Sequence, residues 1–161
     1  MTMDSNIPNS SSKSIEDRLR IMEDREEIRQ LLIEYGRVLD QRDFGALSRL
    51  FSENAEYIGG GSLNAIKGPA AISKFVEEVF RKNPMGLRFP NFHLFANVTI
   101  QINGDEAYAK SKGFFVVPNE EDMPLAVMMA TNDDVLVRDK GRWKFKRRIV
   151  HMEIPAPAPS V

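Results

Sequence analysis

The residue types that could do acid–base chemistry in this chain are few. It has two histidines, three tyrosines and no cysteine, so thiolate nucleophiles, disulfides and cysteine-ligated zinc are all excluded. His93 lies in an alternating run from Phe92. One face carries Phe92, Leu94, Ala96, Val98, Ile100 and Ile102; the other carries His93, Phe95, Asn97, Thr99 and Gln101. Asp40 closes a long helical pattern, where a negative charge opposes the helix dipole unless a partner offsets it. Residue type alone also fits Asp40 to an exposed Asp40-Gln41-Arg42-Asp43 turn, and His93 to an ordinary structural histidine. If the two meet, the carboxylate fixes the imidazole tautomer and stabilises the imidazolium formed when His93 takes a proton. Tyr35, slightly more than one helical turn before Asp40, could then donate to a developing oxyanion or leaving group. Such a set suits proton abstraction and elimination and offers no nucleophile for covalent catalysis.

The elements that must position these groups are legible in the apolar spacing. From Ser14 the positions Ile15, Leu19, Met22, Ile28, Leu31, Leu32, Tyr35, Val38 and Leu39 recur at three and four, predicting one long amphipathic helix with Ser14 and Asp17 as a capping box. Phe44, Leu47, Leu50 and Phe51 predict a short second helix, and Ala55–Ile58 a short strand ended by three glycines, which favour a turn over a phosphate cradle. Pro69 opens a third helix with Ile72, Phe75, Val76, Val79 and Phe80 as its buried stripe, ending before Asn83-Pro84. Four β-rich runs follow, Phe92–Ile102, Glu106–Pro118, Leu125–Arg138 and Arg142–Ile154, separated by turn-forming clusters. Helices first and a meander last is an α+β architecture with antiparallel strands.

The 161 residues, 42% of them hydrophobic, fit one domain. The expected division is a polar arm over residues 1–13, a domain over 14–154, and a tail over 155–161 whose prolines cannot continue a ladder. Twenty-two basic and 23 acidic side chains leave a net charge of −1, which gives no field for nucleic acid or an anionic membrane. No apolar stretch reaches the roughly 20 residues needed to span a bilayer, and no signal peptide precedes the domain, so the expectation is a cytoplasmic protein. His93 and His151 are far apart in sequence and form no metal signature, so no metal is expected. The basic run Lys144, Lys146, Arg147, Arg148 reads as a solvated face with one arginine inward, and Arg147 follows the Trp143 and Phe145 alternation. Met123, Met128 and Met129 read as core or pocket lining.

The run Asp24-Arg25-Glu26-Glu27-Ile28-Arg29-Gln30-Leu31-Leu32, then Tyr35, Leu39-Asp40, Asp43-Phe44, Leu47 and Leu50-Phe51, resembles the helical half of the SnoaL-like, nuclear-transport-factor-2-like family. Lys67-Gly68-Pro69-Ala70-Ala71-Ile72, His93-Leu94, Gly104-Asp105-Glu106-Ala107 and Gly141-Arg142-Trp143-Lys144-Phe145 continue it in order, so the resemblance covers residues 15–154. It implies a cone in which helices close a curved sheet around a pocket. It also implies that Asp40 and His93 stand where scytalone dehydratase, bile-acid 7-alpha-dehydratase and hexachlorocyclohexane dehydrochlorinase hold their aspartate–histidine dyad. Tyr35 falls at the bile-acid enzyme's catalytic tyrosine, and Asn132 near a ligand-contacting asparagine of scytalone dehydratase. The chain departs from the latter at Leu39 and near Val117, lacks the dehydrochlorinase lysine, and has Ile58-Gly59-Gly60 where steroid isomerases keep a general-base aspartate, although Asp133 falls near their second acid.

The resulting expectation is a lyase of the dehydratase type, working without a cofactor on a hydrophobic cyclic or polycyclic small molecule. His93, Asp40 and Tyr35 would be catalytic, and Asn132, Tyr57, Phe95, Arg147 and Met128 would contact substrate. An isomerase or cyclase using the same base, or a non-catalytic ligand-binding or assembly domain, are the alternatives. Homo-oligomerisation, as trimer or dimer, is expected through the apolar sheet face carrying Leu94, Val98 and Ile100.

Overall fold

A computed structural model describes residues 14–62, 64–82 and 88–155. The expected N-terminal arm lies outside them, as does the tail beyond Pro155. Helix α1 (Ile15–Asp40) opens on the predicted capping box, with the Asp17 amide bonded to Ser14 Oγ at 3.0 Å and the Asp17 carboxylate reaching back to the Ser14 amide. Asp43 caps the short α2 (Phe44–Arg49) through the Ala46 amide at 2.8 Å. Phe51, predicted in that helix, instead begins strand β1 (Phe51–Ile58). Leu50 closes the helix and its carbonyl accepts the Phe145 amide at 2.9 Å, so the chain passes from helix to sheet with no loop between. Phe51 is buried in either setting, which is why hydrophobicity could not distinguish them.

After a two-residue strand β2 (Ile66–Lys67) comes α3 (Pro69–Lys82), starting at the predicted proline. The meander is β3 (Phe92–Asn103), β4 (Glu106–Pro118), β5 (Pro124–Asp139) and β6 (Arg142–Ile154). Its strands pair antiparallel in sequence, and the single six-stranded sheet runs β2-β1-β6-β5-β4-β3. Strand β1 joins β6 in parallel, through the crossover that the first helices and the meander together provide. Helix α1 packs on β3 and β6, α3 on β1, and the core lies between helices and sheet.

Bulges curve this sheet and decide which side chains point inward. In β3 the register shifts between Ala96 and Thr99, with Asn97 at φ 52°. Strict alternation therefore fails halfway along. His93 and Phe95 face the interior before the bulge, while Val98, Ile100 and Ile102 pack on the core after it. The continuous apolar stripe predicted for the outer face does not exist, because Leu94 is exposed whereas Val98 and Ile100 turn inward. In β6 the ladder passes from Phe145 to Arg147 with Lys146 unpaired, so Arg147 moves to the outer face beside Glu56 and Arg148 takes the interior position.

The charged segment Asp24–Glu27 docks α1 on the β5–β6 hairpin. Buried Asp24 accepts from Arg138 Nη2 at 2.6 Å and Trp143 Nε1 at 3.0 Å, and Glu27 accepts from the Trp143 amide at 3.1 Å. Charge-assisted bonds of this kind fix the helix along the sheet as well as against it. No helix among the described residues is long and apolar enough to cross a membrane.

Candidate functional site

Asp40 and His93 come from the last turn of α1 and the start of β3, and they meet. His93 Nδ1 lies 2.7 Å from Asp40 Oδ1, and the His93 amide donates to both carboxylate oxygens, at 3.0 and 3.1 Å. The carboxylate accepts this main-chain donor in any tautomer, so Asp40 is held independently of the imidazole proton. A proton on Nδ1 facing the carboxylate leaves Nε2 as the basic nitrogen, and no described group bonds Nε2. His93 stacks on Phe115, ring centroids 4.4 Å apart, with Phe80 at 6.1 Å, and its side chain is 9% exposed. The helix-end penalty on Asp40 is thus offset by His93 and by the nearby Arg42 cation, which also bonds the Leu39 carbonyl.

Close approach of α1 to β3 depends on Gly36. A Cβ there would stand 3.1 Å from the Phe95 ring and 3.2 Å from His93 Cβ. Gly36→Ala is expected to wedge the helix off the strand, costing ~1–3 kcal/mol in urea unfolding and lowering turnover between ~10- and ~100-fold through misplacement of His93. Unchanged turnover in a folded G36A protein would show that the helix–strand distance does not set the dyad. Gly36 escaped the sequence reading because nothing in a single helical glycine reveals what lies opposite it.

His93 forms part of the wall of a cavity of about 220 Å³, while Asp40 stands behind it, outside the lining. Phe75, Val76, Val79 and Phe80 of α3 form one side, and Phe95, Phe115, Met128, Ala130, Val150 and Met152 of the sheet the other. Tyr35, Tyr57 and Asn132 bring the other polar groups. Gly113 leaves space here, since a Cβ would meet Asn132 Nδ2 at 3.0 Å. Of the residues expected from sequence to contact substrate, Asn132, Tyr57, Phe95 and Met128 line this cavity. Arg147 does not, for the register reason given above. Asp133 also points away, toward Lys110 and His151 on the outer face.

Burial pushes both phenols up, Tyr57 more than Tyr35. The Arg148 cation and the Tyr57 hydroxyl pull Tyr35 partly back, so Tyr35 is the better donor of the two and remains protonated at neutral pH. Arg148 lies face-on to the Tyr35 ring at 4.0 Å, with Phe145 at 4.7 Å and Phe95 at 5.3 Å. Among the described residues the one ion-pair partner of Arg148 is Asp134 at 3.7 Å, too long for a hydrogen bond. Both residues are fully buried, and among the described residues their polar side-chain atoms have no hydrogen-bond partner.

Burial drives Asp134 up to about 6, against the opposing pull of Arg148. An unfolded chain ionises this group near 3.8, so between about pH 4 and pH 6 it releases a proton that the native state retains. The Asp134 contribution to stability therefore falls as pH rises through that window and levels off above it, by at most ~3 kcal/mol. In urea titrations, the stability of the protein relative to an Asp134→Asn variant should fall from pH 4 to pH 7. A rise, or no change, would contradict the assignment.

Comparison with known proteins agrees with this fold. The SnoaL-like domain family model matches residues 20–149. Uncharacterized proteins of Mycobacterium tuberculosis and Mycobacterium bovis are each 30% identical over 129 residues, covering 78% of this chain and 83% of theirs. Among solved structures, an NTF2-like protein with a cystatin-like fold from Novosphingobium aromaticivorans is 29% identical with TM-score 0.73, over 85% of this chain and 86% of that one. A scytalone-dehydratase-like protein of the same organism (22%, TM-score 0.67, 87% and 89% covered) shares the fold. So does LinA (19%, TM-score 0.70, 89% and 95% covered). With the family model matching residues 20–149, most of its length, the chain belongs to the SnoaL-like domain family.

Proposed function

We propose that this protein is a lyase that eliminates water from a small cyclic substrate, with the Asp40–His93 pair as its base. The observation that carries the reading is the 2.7 Å contact of His93 Nδ1 with a carboxylate also anchored by the His93 amide, at the wall of an apolar cavity. Nε2 takes a proton from carbon beside a carbonyl, and Asp40 balances the imidazolium. Tyr35 donates to the enolising oxygen. The imidazolium then protonates the β-hydroxyl as its bond to carbon breaks, releasing water and regenerating neutral His93. Protons balance within the dyad, so the reaction needs no cofactor.

The cavity narrows the substrate. A dry space of about 150 Å³ accommodates benzene, so about 220 Å³ suits one or two rings and is too small for a steroid skeleton. Ring stacking on Phe75, Phe80, Phe95 and Phe115 favours a flat, unsaturated or aromatic frame. A likeness in fold to a scytalone-dehydratase-like protein supports the same direction. The test is a panel of one- and two-ring β-hydroxy ketones, read by mass spectrometry. Loss of water with wild-type protein, absent with His93→Ala, is expected. Conversion at constant mass would replace the lyase by an isomerase. Thermal stabilisation by the same compounds without any product would make the domain a binder.

A further inference from the structure

Helix α1 is apolar on two faces. Ile28, Leu31, Leu32, Tyr35, Val38 and Leu39 bury one against the sheet, but Ile15, Leu19, Met22 and Ile33 are 81%, 54%, 66% and 57% exposed. At about 100° per residue these four fall within 40° of one line on the side away from the core. The single amphipathic face read from the sequence is thus two. The outward line continues through Glu26 and Arg29, giving the positions 15, 19, 22, 26, 29 and 33, the alternating four-three spacing of a heptad seam. Its edges differ in sign. Arg18 and Arg25 flank one side, and Glu16, Glu23 and Gln30 the other. None of these four charged side chains forms an ion pair among the described residues, whereas Glu26 and Arg29 at the seam's centre pair with each other at 4.0 Å.

We infer that α1 pairs with α1 of a second copy of this chain, in parallel and in register, through the outward seam of Ile15, Leu19, Met22 and Ile33. Charge fixes the orientation. In a parallel two-fold pair the arginine edge of one helix meets the glutamate edge of the other, bringing Arg18 to the partner's Glu23; an antiparallel pair would set arginine against arginine. Glu26 and Arg29 form a polar layer that can pair across the axis and penalises slipped registers. The surface is distinct from the sheet face, whose apolar stripe is broken by the β3 bulge. It is also separate from the catalytic reading, because none of the four seam residues lines the cavity, and the seam stops at Ile33, before Gly36 and Asp40 meet β3.

The absence of cysteine makes the test direct. Single-cysteine variants Leu19→Cys and Ile33→Cys, on exposed positions about 21 Å apart along the helix, should each form an interchain disulfide in oxidising buffer. An antiparallel arrangement allows at most one of the two. In sedimentation over a concentration series, wild-type protein should associate to a dimer. Arg18→Glu should weaken that association ~10-fold or more, and the Arg18→Glu, Glu23→Arg pair should restore it. Monomer at every concentration, a disulfide at only one site, or an oligomer indifferent to R18E would each overturn the inference. Helical circular dichroism confirms that the variants remain folded, which is expected because every changed position is exposed.

Discussion

Asp40→Asn is expected to lower turnover by ~10²–10⁴-fold with little change in the fold. The amide retains an oxygen for the His93 main-chain donor, so the anchor between α1 and β3 persists. What it loses is control of the imidazole. The carboxylate contacts Nδ1 at 2.7 Å and favours the proton there. An amide can instead turn its NH₂ toward Nδ1, which moves the imidazole proton to Nε2 and disables the base on the cavity side. The negative charge that balances the imidazolium disappears as well. His93→Ala should fall at least as far, and D40N combined with H93A should be no worse than H93A alone, since both act through one group. Turnover measured on a compound identified by the water-loss screen checks this, with urea unfolding as the control for fold. If D40N retained more than a tenth of wild-type turnover, the dyad would be structural.

Replacing Arg148 by Met and Asp134 by Leu together is expected to stabilise the domain by ~1–4 kcal/mol while reducing activity. Both groups are fully buried, lie 3.7 Å apart, and have no hydrogen bonds within the described structure. Their desolvation is therefore poorly compensated, the case in which well-packed apolar replacements of similar volume do best. Activity should move the other way. Arg148 supports the Tyr35 ring at 4.0 Å and opposes the rise that burial imposes on its phenol. Without the cation, whose pull on Tyr35 exceeds the opposing push of Asp134, Tyr35 becomes a weaker acid and a less firmly held donor, and turnover should fall ~10-fold. Urea midpoints and turnover measured on the same samples give both halves. A double variant less stable than wild type would mean that the pair is a net stabiliser, held by contacts beyond its 3.7 Å approach. Tuning a donor at the cost of stability is a common trade at functional sites.

Much of the fold was legible because local rules and burial agree in this chain. The capping box at Ser14, Pro69 at the start of α3 and the turn clusters between the last four strands placed elements to within a few residues. An acid at the negative end of a helix needs a partner, which raised Asp40 as a candidate, but residue type also fitted it to an exposed turn and the family resemblance was what pointed to His93. Positions governed by contacts distant in sequence were not legible. Phe51 belongs to a strand because Phe145 pairs with it, and Gly36 matters because His93 and Phe95 pack against it. A second apolar line on α1 was merged with the first, because three-and-four spacing alone does not tell one face from two.

By itself the sequence determined the α+β order of elements, the absence of thiol chemistry, and a short set of groups able to move a proton: Asp40, His93 and Tyr35. Only the tertiary structure decided which residues face the cavity, and the reason is the bulge. Strand periodicity of two holds until one extra residue inverts it, and where that residue sits is settled by curvature and partner strands rather than by composition. One inversion in β3 turned Val98 and Ile100 inward, and another in β6 exchanged Arg147 for Arg148. The 2.7 Å meeting of Asp40 with His93 likewise arises from two segments more than fifty residues apart, brought together by the packing of α1 on β3.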